Sequence, residues 1–106
     1  MTPDALRGHL DALILAVVER GPLHGYAIIE ALAERSGGEL DLPTGTVYPA
    51  LRRLEAAGYL DSRWSEGTGR RRRTYTLSRA GKRRLRDARA EWQTFSTVVT
   101  GVLRPA

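Results

Sequence analysis

The stretch Leu42 to Gly58, LPTGTVYPALRRLEAAG, decides the fold, because its apolar residues recur at helical spacing before a glycine. Thr44 is a suitable N-cap and Gly58 a suitable C-terminal stop. Pro49 is compatible with a helix here because we expect it near the first turn, where a backbone N–H has little partner to lose. On a helical projection one side is apolar and the other is polar or small. The apolar side holds Val47, Leu51 and Leu54, and the outer side with its flanks holds Gly45, Thr46, Tyr48, Pro49, Arg52, Arg53 and Ala56.

Two amphipathic helices are predicted before this stretch. Apolar residues at helical spacing indicate the first helix over residues about 4 to 19, and Gly21-Pro22 ends it. The second is predicted from His24 to Arg35, with His24 as a residue that ends a turn or caps the helix. Both have the pattern of ordinary core-building helices.

A β-hairpin is predicted after the third helix. Residues 59–65 and 72–77 are two short runs rich in aromatic and β-branched residues, joined by a glycine-containing tip. Three helices followed by a hairpin are the layout of a winged helix-turn-helix, in which the third helix enters a DNA groove and the hairpin is the wing. We therefore predict a mainly α fold with a small hairpin, and a DNA-binding domain over residues 1–78.

Positive charge is concentrated on this hairpin and around it. Residues 1–51 carry three arginines and seven acidic residues, a net charge of −4, whereas residues 52–89 carry thirteen basic and four acidic residues, a net charge of +9. Such segregation favours a polyanionic partner, of which nucleic acid fits better than a membrane surface. Arg70 to Arg73 would lie on the wing and reach phosphates or the minor groove. The alternative is a charged loop that only keeps the tip solvated.

The last segment, residues 79–106, is predicted to be a long helix that joins two copies of the chain. Ser78 is a suitable N-cap, and the helix would run to about Leu103. Its apolar residues are spaced 3, 4, 3, 4, 3, which is a heptad seam typical of helix pairing. We expect a homodimer, either parallel or antiparallel or with help from the first helix; the alternative is that the seam folds back on the chain's own core. The seam consists of Leu85, Ala88, Trp92, Phe95, Val99 and Val102.

Composition excludes several other classes. The chain has no cysteine, and its longest apolar run is far too short to span a bilayer, so we expect a cytoplasmic protein with no membrane association. It has no H-E-x-x-H, G-x-S-x-G or glycine-rich phosphate motif, and its acidic residues are scattered. We expect neither an enzyme nor a metal site nor a cofactor.

Three motifs together resemble the PadR family of bacterial transcriptional regulators over residues about 6 to 103. They are GPLHGYAIIEAL (21–32), GTVYPALRRLEAAGYL (45–60) and GRRRRTYTLSRAG (69–81). The Tyr-Pro pair and the His-Gly-Tyr sequence are much more specific than a generic helix-turn-helix. The short C-terminal part is similar to the subfamily that dimerises through one terminal helix.

The resemblance implies a ligand-responsive repressor that binds a pseudo-palindromic operator as a homodimer. It implies a small planar aromatic effector at the dimer centre, with Trp92 and Phe95 as contacts and Trp64 on the first wing strand as a further aromatic position. An arginine on the outer side of the third helix can pair with guanine, or contact a phosphate, or be merely solvated. A winged-helix adaptor for proteins and a dimer that only sequesters aromatic molecules are the alternatives. The expected contacts with double-stranded DNA are Thr44, Thr46, Tyr48, Arg52, Arg53, Arg70, Arg71, Arg72 and Arg73.

Overall fold

The predicted helices and hairpin occur in the predicted order, with the first helix divided and one additional short strand. The computed structural model describes residues 3–6, 8–65 and 71–106. The described residues form a winged helix-turn-helix with a long C-terminal helix, which confirms the predicted fold class. The elements are α1 (Pro3–Leu6), α2 (Leu10–Val18), β1 (Leu23–His24), α3 (Gly25–Arg35), α4 (Thr44–Ala56), β2 (Leu60–Ser65), β3 (Arg72–Leu77) and α5 (Arg79–Leu103).

The first predicted helix is divided in two, so the single helix over residues about 4 to 19 is wrong. Gly8 adopts φ +81°, a left-handed conformation that interrupts a right-handed helix. The backbone N–H of His9 donates to the carbonyl of Leu6 at 2.9 Å and closes the turn between α1 and α2.

The sheet has a third strand that the sequence pattern did not predict. The order is β1-β3-β2, and both pairs are antiparallel. In β1, Leu23 lies opposite Tyr75 and His24 lies opposite Thr74. A strand of two residues is too short to produce an alternating sequence pattern, so it is identified only by its pairing with β3 in the folded chain.

One apolar core joins the helices to the sheet. Its side chains come from α2, α3, α4, β2, β3 and the start of α5, with Leu40 from the connection between α3 and α4. No polar or charged residue is buried within the described ranges. The fully buried large side chains are Ile14, Leu15, Val18, Ile28, Val47, Leu51, Leu54, Leu60 and Leu85.

The start of α4 differs in detail from the prediction. Thr44 is the first helical residue and not the N-cap, a place that Pro43 takes without a side-chain hydrogen bond. Pro49 is the sixth residue of α4. It therefore lies beyond the first turn, and the carbonyl of Gly45 lacks the N–H that would come from residue 49. Gly58 follows the helix at φ +84° and ends it as predicted.

The beginning of α5 is built into the domain that precedes it. Ser78 caps α5 by accepting from the N–H of Gly81 at 2.9 Å, and it donates to the carbonyl of Gly58 at 2.6 Å. A Cβ added at Gly81 would lie 2.1 Å from the carbonyl oxygen of Tyr59, so only glycine allows α5 to approach the chain there.

Nowhere in residues 3–6, 8–65 and 71–106 is a helix long and apolar enough to cross a membrane.

Candidate nucleic-acid interface and apolar groove

The outer side of α4 is exposed and carries the polar residues predicted for it. Val47, Ala50, Leu51 and Leu54 point into the core, so the opposite side of the helix faces solvent. Beneath this side lies Tyr75 of β3. Burial raises the pKa of its phenol above the ordinary value of 10.0, while the nearby charge of Arg73 opposes that rise. The predicted residues on the exposed side are Thr44, Thr46, Tyr48, Arg52 and Arg53.

Tyr48 is held against the first residue of α3. A Cβ added at Gly25 would lie 3.0 Å from Cε1 of Tyr48 and 3.5 Å from its hydroxyl oxygen. The side chain of His24 caps the same helix, as one of the two predicted roles requires, by accepting from the N–H of Ala27 at 3.2 Å on Nδ1. The His-Gly pair thus caps α3 and leaves room for the ring of Tyr48.

The same histidine connects α3 to the wing, which is the hairpin of β2 and β3. Its Nε2 lies 3.3 Å from Nη1 of Arg72. In the tautomer in which Nδ1 accepts from Ala27, Nε2 carries the proton, so Nε2 and Nη1 are then both donors. Tyr48, Gly25, His24 and Arg72 therefore form one continuous surface from α4, over the start of α3, to the wing.

The arginines of the wing have different surroundings. Arg71 and Arg73 both stack on Trp64, with guanidinium carbons 5.0 and 5.3 Å from the ring centre. Arg73 also donates from Nε to Ser62 Oγ at 2.8 Å and lies 3.6 Å from a carboxylate oxygen of Glu55. Arg70 lies outside the described residues. Arg73 is thus held by an acidic residue, whereas Arg71 contacts only the Trp64 ring among the described residues.

Arg53 is paired with an acid on another helix. Its guanidinium donates to the carboxylate of Asp11 in the first turn of α2. Arg52 forms no ion pair with any residue in the described ranges. Of the two arginines on α4, Arg52 is therefore the one whose charge no described residue compensates by an ion pair.

An apolar groove lies between the N-terminal helices and α5. It has a volume of about 560 Å³ and contains Trp92 and Phe95 of α5, with ring centres 6.0 Å apart. His9 meets the Trp92 ring edge-on at 5.3 Å. Trp64 does not line this groove, so the structure does not bring the three predicted effector contacts together.

Residues 3–6, 8–65 and 71–106 contain no group of three or more acidic or histidine side chains able to hold a metal.

The predicted heptad seam is buried at its beginning and exposed towards its end. Leu85 is 2% exposed because it belongs to the core of its own chain, so it has almost no surface to offer a partner. Ala88 and Val99 are half-buried, whereas Trp92, Phe95 and Val102 are exposed. Val98 and Leu103 add exposed apolar surface that the heptad spacing missed.

A second ion pair connects the end of α2 to α5. Both terminal nitrogens of Arg89 donate to the carboxylate of Glu19 at 2.9 Å. These hydrogen bonds lower the pKa of Glu19 below its ordinary 4.5 and raise that of Arg89. Sequence spacing gave no signal for this pair or for Arg73 with Glu55, because the partners are distant in the chain or on different elements.

Comparison with known proteins agrees with this architecture. Residues 14–87 match the Transcriptional regulator PadR-like family. The crystal structure of a PadR family transcriptional regulator from Eggerthella lenta is 33% identical, with a TM-score of 0.87, 97% of this chain covered and 88% of that chain. The negative transcriptional regulator PadR of Bacillus subtilis is 32% identical over 75 residues, which are 70% of this chain but only 41% of the relative.

A crystal structure of Bacillus subtilis PadR in complex with operator DNA is also similar. Its TM-score is 0.68 at 31% identity, covering 76% of this chain and 46% of that chain. The family match extends over more than half of the sequence and confirms the prediction of a regulator and not an enzyme. The chain therefore belongs to the PadR-like family and is a PadR-like transcriptional regulator.

Proposed function

We propose that this regulator is a repressor that binds double-stranded DNA through α4 and the wing. The observation that carries the proposal is the continuous surface from Tyr48 over His24 to Arg72. The pair of donors at His24 Nε2 and Arg72 Nη1, 3.3 Å apart, would both be satisfied by one phosphate oxygen. The similar protein from Bacillus subtilis was crystallised in complex with operator DNA, which supports DNA as the partner.

The residues of α4 have separate roles in this proposal. Thr44, Thr46 and Tyr48 donate hydroxyl hydrogen bonds to phosphates and fix the register of α4 in the major groove. Arg52 is the base-contacting arginine, because no ion pair within the described part of the chain compensates its charge and a guanidinium can pair with guanine O6 and N7. Arg53 contributes less, since Asp11 already holds it.

Two copies of the chain bind together in this proposal. The exposed apolar residues of α5 join them, and two α4 helices about one helical turn apart then read a pseudo-palindromic operator. The support is the exposed surface of Phe95, Val102 and Leu103, which a single chain leaves uncovered. A regulator of this kind acts in the cytoplasm, where bacterial DNA lies.

The groove is the place proposed for a small planar aromatic effector. Trp92 and Phe95 offer ring faces for stacking, and the volume of about 560 Å³ accommodates a small organic molecule. A ligand there lies between α2 and α5, so it would change the angle between the two helices. A change in that angle alters the spacing of the two α4 helices in a dimer and thereby weakens operator binding.

Fluorescence anisotropy tests the proposed repressor. The protein is titrated against a labelled duplex from upstream of its own gene and against a scrambled duplex, over a series of salt concentrations. We expect the native duplex to bind more tightly, with log affinity falling by about 0.9 per log salt for each phosphate neutralised. Equal binding of both duplexes would mean that the operator lies outside the fragment tested. Absence of binding at low salt would refute the proposal.

A second function, binding of planar aromatic molecules without DNA, is favoured by the groove alone. Titration with a planar dye should quench the fluorescence of Trp92. The Trp92→Ala variant should then have lost most of the affinity for that dye. If Trp92→Ala binds the dye as tightly as the unchanged protein, the groove is not its binding site.

A further inference from the structure

Trp64 is an exposed tryptophan that the fold does not use in its core. It lies on β2 directly opposite Arg73 of β3, and 51% of its surface remains exposed. Leaving a ring of this size in water is unfavourable, because burial of a large aromatic side chain contributes a substantial part of folding or binding energy. The groove that contains Trp92 does not include it, so an effector there would not cover it.

Arg73 has the contacts of a structural residue. Ser62 donates from Oγ to Glu55 at 2.6 Å and accepts from Arg73 Nε at 2.8 Å, while Glu55 and Arg73 form an ion pair. Glu55 belongs to α4, Ser62 to β2 and Arg73 to β3. This network therefore fixes the wing to the C-terminal part of α4, and Glu55 compensates the charge of Arg73.

Arg71 has the opposite character. Its guanidinium stacks on Trp64, and it forms no ion pair with any residue of the described ranges. Stacking restricts a long, flexible side chain before any partner arrives, which lowers the entropy lost on binding. No hydrogen bond or ion pair to the described residues occupies the N–H donors of this cation while it is held.

From this arrangement we infer that Trp64 and Arg71 together form the DNA contact of the wing, and that Arg73 with Glu55 and Ser62 positions them. Arg71 donates to phosphates, and the ring of Trp64 packs on the deoxyribose surface at the edge of the minor groove. This inference deepens the proposed function and rests on it. It assigns Trp64 to DNA and not to a small aromatic effector.

The chain has two tryptophans, so each can be observed alone. In Trp92→Phe the emission comes from Trp64, and in Trp64→Phe it comes from Trp92. Both proteins are titrated with the upstream duplex while anisotropy of the labelled DNA reports binding. We expect the emission of Trp64 to change in intensity or wavelength in step with binding, and the emission of Trp92 to change much less.

Substitutions then distinguish side chains that contact DNA from side chains that only position the wing. Trp64→Ala should weaken DNA binding by about three- to tenfold, and Trp64→Phe by less, because phenylalanine keeps a ring face for Arg71. Arg71→Ala should lower the magnitude of the salt slope by about 0.9 for each copy of the chain bound, or about 1.8 for a dimer. The matched control is Arg104→Ala, which removes the same charge from an exposed residue at the end of α5 and should leave the salt slope unchanged. Far-ultraviolet circular dichroism checks that each variant is folded.

The outcomes distinguish this inference from the proposed function. If the native duplex binds but Trp64 emission stays constant and Trp64→Ala binds as tightly as the unchanged protein, the inference is overturned and the repressor stands. Quenching of Trp64 by a planar dye, with no response to DNA, also overturns it and returns Trp64 to an effector role. If no duplex binds any of the proteins, both proposals fail.

Discussion

Single residues determine how closely the elements of this domain approach. Gly81 is the strongest case, because an added Cβ would lie 2.1 Å from the carbonyl oxygen of Tyr59 and 2.8 Å from a side-chain carbon of Leu77. The backbone cannot yield without moving α5 away from β2, so we expect Gly81→Ala to destabilise the fold by about 2 to 3 kcal/mol. Chemical denaturation measures the loss.

A second glycine of the same helix supplies the control. Gly101 has no atom within 4 Å of an added Cβ, so Gly101→Ala should be neutral or should stabilise by up to about 1 kcal/mol. Equal effects of the two substitutions would mean that the contact with Tyr59 does not require glycine at position 81.

Gly25 has a different role, because its neighbour is a mobile side chain and not backbone. An added Cβ would press on the ring of Tyr48 at 3.0 Å, so the ring must shift while the fold persists. If Tyr48 contacts a phosphate as proposed, Gly25→Ala should weaken DNA binding about tenfold for each half-site, since one hydrogen bond to a charged group contributes about 1.5 kcal/mol. Anisotropy titration provides the measurement.

Tyr48→Phe tests whether the effect passes through the hydroxyl. This variant should lose a similar amount of affinity, and the double variant should lose little more, because both changes remove the same interaction. Losses that simply add would show that Gly25 acts on DNA binding through some other contact.

At the scale of elements, the sequence predicts those with a long pattern and misses those that depend on distant partners. The bounds of α3, α4 and α5 and the hairpin follow from periodicity and from glycine positions. The two-residue strand β1 is too short to show an alternating pattern. Gly8 lies within an apolar repeat at helical spacing, so the sequence alone does not predict that the helix is interrupted there. The four arginines of the wing look equivalent in sequence. Among the described residues, Trp64 contacts both Arg71 and Arg73, whereas Glu55 and Ser62 contact Arg73, and tertiary folding brings these partners near.

The ion pair between α2 and α5 predicts a dependence of stability on pH. Hydrogen bonds from Arg89 lower the folded pKa of Glu19 below its ordinary 4.5. A lowered folded pKa stabilises the fold above the ordinary value, and that stabilisation is lost as pH falls through the folded pKa. Glu19→Gln should therefore reduce stability near neutral pH, by less than about 1 kcal/mol for an exposed pair, and the difference from the unchanged protein should vanish in acid.

Urea unfolding at about pH 7 and about pH 3 measures this difference. Glu30→Gln is a suitable comparison, because Glu30 is an exposed carboxylate of α3 with no ion pair among the described residues. A Glu19→Gln effect that is the same at both pH values would mean that the pair stabilises through packing and not through charge.

At the scale of the whole molecule, the uncovered end of α5 is the feature that a single chain does not explain. Val102 is 79% exposed and Leu103 75%, at the far end of a helix whose first turns are buried. A second copy would cover this surface, so Val102→Asp should shift the protein from dimer to monomer by placing a charge in an apolar contact. Sedimentation equilibrium measures the mass. Thr97→Asp, on the opposite side of α5 by helical spacing, should remain dimeric.

Loss of the dimer should also be visible on DNA, because two linked α4 helices bind two half-sites with a high effective local concentration. The Val102→Asp monomer should therefore bind the native duplex about a hundredfold more weakly, while its tryptophans and wing remain intact. Sedimentation and anisotropy must change together if α5 joins the copies. A Val102→Asp protein that stays dimeric would place the contact elsewhere, with the groove between α2 and α5 as the next surface to alter. A monomer that binds the duplex undiminished would show that each chain reads its site alone.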